Sequence, residues 1–374
     1  MAKRVIISGG GTGGHIFPAV AIANALKKIA PDTEILFVGA NGRMEMEKVP
    51  AAGYKIIGLN IQGFQRKSIF KNLLLPFRLL MSLIKSRSII REFRPHIAVG
   101  VGGYASGPLL YVASLMKVPY LIQEQNSYAG ITNKNLGKKA QKICVAFEGM
   151  EKFFPVEKIM ITGNPIRKDT VKIEGKRKVA LEFFGLSAAK KTILVTGGSL
   201  GAGTLNKSML KGLDRIIAED VQLIWQTGKY YFNSINVQLK GKEHLNIKVL
   251  EFLQKMDLAY AAADVIISRA GAGTIAELFV VRKPVILVPS PNVAEDHQSK
   301  NAMALVKNDA AIVVKDDVAE QNLVDVAIHL LKDEAKCAEL SKNIGLMALP
   351  DADEVIAREV LKITNNKVSS ELWS

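Results

Sequence analysis

Of the five histidines, only His15 lies in a glycine-rich turn, Gly9-Gly10-Gly11-Thr12-Gly13-Gly14-His15, between a short apolar run and a helical pattern. Glycines let a backbone approach an anion closely, and a helix start offers N–H groups with partial positive charge. Imidazole titrates near neutrality, so His15 at the mouth of this loop suits a general base; it equally suits a cap on its own helix. A second loop, Gly197-Gly198-Ser199-Leu200-Gly201-Ala202, offers N–H groups and the Ser199 hydroxyl to a diphosphate. A third, Ser268-Arg269-Ala270-Gly271-Ala272-Gly273-Thr274-Ile275-Ala276-Glu277, also opens a helix. Glu277 falls about one turn inside it, where a carboxylate takes two ribose hydroxyls or serves the helix dipole.

Other chemistries fit less well. Gly9, Gly11 and Gly14 satisfy GxGxxG, but a dinucleotide oxidoreductase needs an acid where the second strand ends. Here Leu36-Phe37-Val38 runs into Gly39-Ala40-Asn41. Asp351-Ala352-Asp353 follows Pro350 and reads as a helix cap. No His/Cys/Asp cluster has ligand spacing, so neither metal nor cofactor is expected. Cys144 and Cys337 are far apart, without a disulfide framework. The two-sided amide of Gln298 suits sugar hydroxyls. Tyr104 and Ser106 suit either an acceptor or packing.

Positioning these groups requires alternating strands and helices. Strands are expected at 4–8, 34–38, 97–101, 120–123 and 142–146, and helical spacing runs through segments such as 19–29. The pattern restarts with strands at 192–196, 222–226, 247–250, 265–268, 285–288 and 311–314. Such alternation argues for parallel sheets covered on both faces. With 374 residues, two domains are the prior. The expectation is two doubly wound α/β domains facing a cleft, 1–163 and 164–349, with a break near Gly163-Asn164-Pro165. A terminal helix in 350–374, capped by Asp351, is expected to pack back on the first domain.

Net charge is +15, and residues 1–163 hold most of it, with 22 Lys/Arg against 9 Asp/Glu. That imbalance points to an anionic surface or to solubility alone. Residues 62–95 carry eight Lys/Arg and one acid, interleaved with Phe64, Ile69, Phe70, Leu73, Leu74, Leu75, Phe77, Leu79 and Leu80. Such a segment lies on anionic lipid, or forms a core helix with a solvated basic face. Pro76 and Arg78 interrupt it, no run is long enough to span a bilayer, and the start is no signal peptide. Aromatics, at 6%, give no stacking platform for nucleic acid.

Six motifs occur in order: Gly10 to Ala19, Gly102 to Pro108, Glu124-Gln125-Asn126, Gly163 to Arg167, Gly197 to Ala202, and Ser268 to Glu277. Together they resemble the MurG family of peptidoglycan N-acetylglucosaminyltransferases over nearly the whole chain. The resemblance implies two Rossmann-like domains of the glycosyltransferase B type. It implies inverting, β-1,4 transfer of N-acetylglucosamine from its UDP form to the 4-hydroxyl of undecaprenyl-diphosphate-linked N-acetylmuramyl-pentapeptide. The enzyme would sit peripherally on the cytoplasmic face of the bacterial inner membrane. Family donor contacts fall on Thr12, Gly13, Gly14, Asn126, Arg167, Ser199, the Phe252-Leu253 main chain, Ala272 to Glu277 and Gln298. Many members carry His before Glu-Gln-Asn where this chain has Gln123. That leaves His15 as the preferred base and Glu124 as second choice, unless Glu124 only braces its loop. Another UDP-sugar enzyme of the same fold, such as an epimerase or glycolipid transferase, and a catalytically silent nucleotide binder are the alternatives.

Overall fold

The computed structural model describes residues 2–62, 74–241 and 244–365. The chain divides into two compact units, Met1–Ile166 with Pro350–Ser374, and Arg167–Leu349.

The strands of the first unit are β1 (Arg4–Gly9), β2 (Glu34–Ala40), β3 (Lys55–Leu59), β4 (Ile97–Gly102), β5 (Tyr120–Glu124), β6 (Lys142–Val145) and β7 (Ile159–Ile161). They form one seven-stranded sheet in the order β3-β2-β1-β4-β5-β6-β7, with every pair parallel. Parallel strands are buried on both faces and so read as continuous apolar runs. In β1, Val5 and Ile7 enter one core and Ile6 the other. The helix Gly13–Ile29 lays Ile16, Ala19, Ile22, Ala23 and Leu26 on the Val5 face. The helix Ala352–Asn365 adds Ile356, Ala357, Val360 and Leu361 to that same core, and Lys28 pairs with Glu354 at 2.8 Å. The chain therefore ends its described part on the unit where it began.

The second unit holds β8 (Thr192–Thr196), β9 (Gln222–Gln226), β10 (Ile247–Leu250), β11 (Val265–Ser268), β12 (Val285–Leu287) and β13 (Ile312–Val313). Their order, β10-β9-β8-β11-β12-β13, repeats that of the first sheet's leading six strands, again all parallel. Both are doubly wound Rossmann-type sheets, whose order reverses beside the first strand. Thus β1/β4 and β8/β11 are the switch points, where neighbouring connections leave in opposite directions and open a crevice. The glycine loop after β1 and the two loops after β8 and β11 stand at these points.

Candidate active site

In the first unit the loop after β1 is held from two sides. Gly10 N–H donates to the Gly102 carbonyl at 3.2 Å, joining the loops that follow β1 and β4. A side chain on Gly103 would overlap the Gly10 backbone, so this approach requires glycine. From the β2 side, buried Glu45 accepts from Gly11 N–H at 2.8 Å and from Ala40 N–H at 3.0 Å. An acid therefore does stand at the end of β2, but it is spent on main-chain amides instead of a ribose. Sequence reasoning missed Glu45 because it lies beyond the strand and folds back; an acid a few residues past a Rossmann β2 is the signal that was there.

Thr12 caps the helix Gly13–Ile29 with its carbonyl, which accepts from His15 N–H at 3.1 Å and Ile16 N–H at 3.2 Å. Gly13 and Gly14 form the open first turn. His15 is partly exposed; its Nδ1 lies 3.1 Å from the Gly10 carbonyl and 3.4 Å from Thr12 Oγ1. A carbonyl only accepts, so in that contact Nδ1 is the donor. The ring packs against Gly102, where a Cβ would meet it. Tyr104 stands exposed in the loop after β4, while Ser106 is buried in the next helix.

Glu124 ends β5 and is buried. Its Oε1 accepts from Asn126 N–H at 3.1 Å and faces Asn126 Nδ2 at 3.4 Å; its Oε2 accepts from Gly130 N–H at 3.1 Å and Asn133 Nδ2 at 2.8 Å. Donors on both oxygens make it the brace of the loop that carries Asn126, and oppose its use as a base. Gln123 is wholly buried, donating to Asn164 Oδ1 at 2.8 Å and accepting from Gln125 at 2.9 Å. A histidine's absence there costs the chain no exposed proton acceptor, because the position faces a buried amide network.

In the second unit Ser199 lies exposed on the loop after β8, its carbonyl accepting from Lys229 N–H at 3.2 Å. Gly201 adopts φ +86° against the Thr227 backbone, which excludes a side chain. The loop after β11 is tied by Arg269, which donates to the carbonyls of Val288 at 3.0 Å and Pro289 at 3.3 Å and pairs with Asp316. Asp316 also accepts from Thr204 at 3.0 Å, so one carboxylate braces both phosphate-type loops. Neither role was legible, since the partners are over forty residues apart. Gly271 caps the helix Ala272–Val281, and the first-turn amides of Gly273 and Thr274 lie at its positive end. Ile275 is wholly buried and its amide bonds the Gly271 carbonyl at 2.9 Å; Ala276 is buried too. Both side chains therefore lie on the core side of the helix.

Glu277 sits deeper than one turn. Its side chain is mostly buried, with Tyr260, Thr170 and Arg167 around it, and Arg167 Nη2 is 3.7 Å from Oε1. Burial pushes its carboxyl up, against the opposing influence of Arg167, Tyr260 and Thr170. Leu253, just after β10, is buried, while Phe252 is exposed. Gln298 Oε1 accepts from Ser290 N–H at 2.8 Å, which leaves its NH2 end to donate. Thus Ser199, Gly273, Thr274, Arg167 and Glu277 belong to one unit, and Thr12, Gly13, Gly14, His15, Tyr104, Glu124 and Asn126 to the other.

Residues 5–145 match the glycosyltransferase family 28 N-terminal domain, and residues 192–356 the glycosyltransferase family 28 C-terminal domain. A protein of Parabacteroides distasonis is 57% identical over 364 residues, 97% of this chain and 99% of its own length. One of Bacteroides fragilis is 58% identical over 97% of this chain and 96% of its own. Both are named UDP-N-acetylglucosamine–N-acetylmuramyl-(pentapeptide) pyrophosphoryl-undecaprenol N-acetylglucosamine transferase. Among solved structures, MurG of Acinetobacter baumannii superposes with a TM-score of 0.77 at 25% identity, covering 96% of this chain and 99% of that one.

Proposed function

The chain belongs to glycosyltransferase family 28, and from that membership we infer that it transfers N-acetylglucosamine from UDP-N-acetylglucosamine to undecaprenyl-diphosphate-linked N-acetylmuramyl-pentapeptide. Relatives above half identity over nearly the full length carry this inference. They favour the transferase over an epimerase or a silent binder of the same fold.

The reaction is a displacement at the anomeric carbon. The muramyl 4-hydroxyl attacks C1 from the face opposite UDP, the C1–O bond to the diphosphate breaks, and the hydroxyl proton goes to a base. A β-1,4 linkage forms and UDP leaves. We assign His15 as that base, with its ring held through Nδ1 on the Gly10 carbonyl at the mouth of the loop. Asn126 and Tyr104 serve the sugars, and Glu124 holds Asn126 in place. Charge grows on the leaving diphosphate, and prepositioned N–H groups stabilise such charge at little reorganisation cost. The loop of Ser199, the first turn of Gly273 and Thr274, and the Arg167 guanidinium supply them. Glu277 takes the ribose hydroxyls, the Phe252-Leu253 main chain reads uracil, and Gln298 donates to the transferred sugar.

Attachment to anionic lipid is supported by the helix Leu75–Phe93. Its inner stripe, Ser82, Ser86, Ile89 and Ile90, is buried. The outer stripe, Phe77, Leu80, Met81 and Ile84, is apolar yet exposed, with Phe77 63% and Ile84 55% accessible. Lys85, Arg87 and Arg91 are exposed on the same helix. Apolar side chains flanked by cations suit a headgroup region, each cation adding about 1 kcal/mol. Phe64, Arg66, Lys67, Ile69, Phe70, Lys71 and Leu73 of the expected segment lie outside the described residues. Among the described residues no helix is long and apolar enough to cross a membrane. Transfer of labelled sugar to the lipid-linked acceptor tests the reaction, and flotation with anionic vesicles tests the attachment.

A further inference from the structure

The three neighbours of Glu277 are unequal. The Tyr260 hydroxyl donates to Oε2 at 3.0 Å. Thr170 Oγ1 is 3.4 Å from Oε1, but the hydroxyl has one proton, and it goes to the Arg167 carbonyl at 2.8 Å. Arg167 Nη2, at 3.7 Å, is beyond hydrogen-bond distance, and its side chain is half exposed. Oε2 is therefore held by a full hydrogen bond, while Oε1 has only two longer contacts and can take new donors.

Tyr260 can do this work because of its place. It lies on the helix Met256–Ala262 and is wholly buried, so water does not replace it. Burial and the Glu277 charge keep the phenol protonated far above its ordinary range, and it remains a donor at working pH. Vicinal ribose hydroxyls need two acceptor lone pairs at a fixed orientation, and a carboxylate free to turn about its last torsion would not offer one.

We propose that Tyr260 is a positioning residue for donor selection: by pinning Oε2 of Glu277 it presents Oε1 to the vicinal hydroxyls of the nucleotide, and so sets the preference for a ribonucleotide over its 2′-deoxy form. The proposal rests on the reading of Glu277 as the ribose acceptor.

The test compares wild type, Tyr260→Phe and Glu277→Gln for binding of UDP and 2′-deoxy-UDP between pH 5 and 8, with kinetics on UDP-N-acetylglucosamine. A site built to hydrogen-bond a hydroxyl rejects the analogue lacking it, here by about tenfold or more in the wild type. Tyr260→Phe should lose most of that ratio and raise the donor KM about five- to tenfold, with kcat within about twofold. The acid limb of UDP binding should move to higher pH, because the carboxylate has lost a donor. A ratio of two Kd values does not depend on the folded fraction, so a less stable variant still reports. A wild-type ratio and pH profile in Tyr260→Phe, with discrimination lost in Glu277→Gln, would overturn the proposal and leave the ribose reading standing. Wild-type discrimination in Glu277→Gln would sink both.

Discussion

Glu45 Oε2 accepts the Gly11 amide at 2.8 Å while its Oε1 accepts the Ala40 amide at 3.0 Å, so a single buried carboxylate ties the end of β2 to the loop that follows β1. Hydrogen bonds to a charged group contribute about 1.5–3 kcal/mol each, and removing the carboxylate takes the acceptor from the buried Ala40 amide and from the part-buried Gly11 amide. Glu45→Ala should therefore lower the stability of the chain by about 2–4 kcal/mol, read from urea unfolding. Turnover should fall more than about tenfold, since the same loop carries His15. An unchanged unfolding midpoint would mean that the glycines hold their shape unaided.

For Glu277, stability and binding move in opposite directions. Its folded carboxyl is raised by burial above the ordinary 4.5. The folded chain then binds this proton more tightly than the unfolded one. That contribution to stability is complete below the unfolded value and is lost as pH rises through the folded value. Glu277→Gln should accordingly melt above the wild type at pH 7, with the gap closing toward pH 4, while UDP affinity falls by at least about tenfold. A variant that melts lower at pH 7 and binds UDP normally would contradict both halves.

His15 is the proposed base, and loss of a general base removes about 10²–10⁴ of rate. His15→Ala should show that loss in kcat, with the Kd for UDP within about twofold. Equal losses in affinity and rate would instead make the ring a structural cap.

The proposed attachment through the exposed stripe on the helix Leu75–Phe93 is separable from the chemistry. Replacing Phe77, Leu80 and Ile84 by serine should release the protein from anionic vesicles, and turnover on a short, water-soluble acceptor should persist. Undiminished flotation of that variant would remove this stripe from the membrane account.

Central strands such as β1, β4 and β8 were legible because burial on both faces leaves an uninterrupted apolar run. The edge strands β3 and β7 were missed: Lys55–Leu59 is short and contains Gly58, and Ile159–Ile161 has three residues. The glycine loops declared themselves, because close backbone approach admits no other residue. Their carboxylate braces did not, since Glu45 and Asp316 act on partners distant in sequence. Nor did the sequence separate the two roles of Glu124; donors on both its oxygens had to be seen. Tyr260, in an apolar helix, reads as core until its hydroxyl is found on Glu277.

The most direct measurement is transfer of labelled N-acetylglucosamine from its UDP form to undecaprenyl-diphosphate-linked N-acetylmuramyl-pentapeptide, by wild type and His15→Ala, with a metal chelator present and with magnesium restored. If main-chain amides and Arg167 stabilise the leaving diphosphate as proposed, a β-linked product should form at the same rate in both conditions, and the histidine variant should lose that rate. An α-linked product, a free epimerised sugar, or a rate that returns only with magnesium would contradict the account.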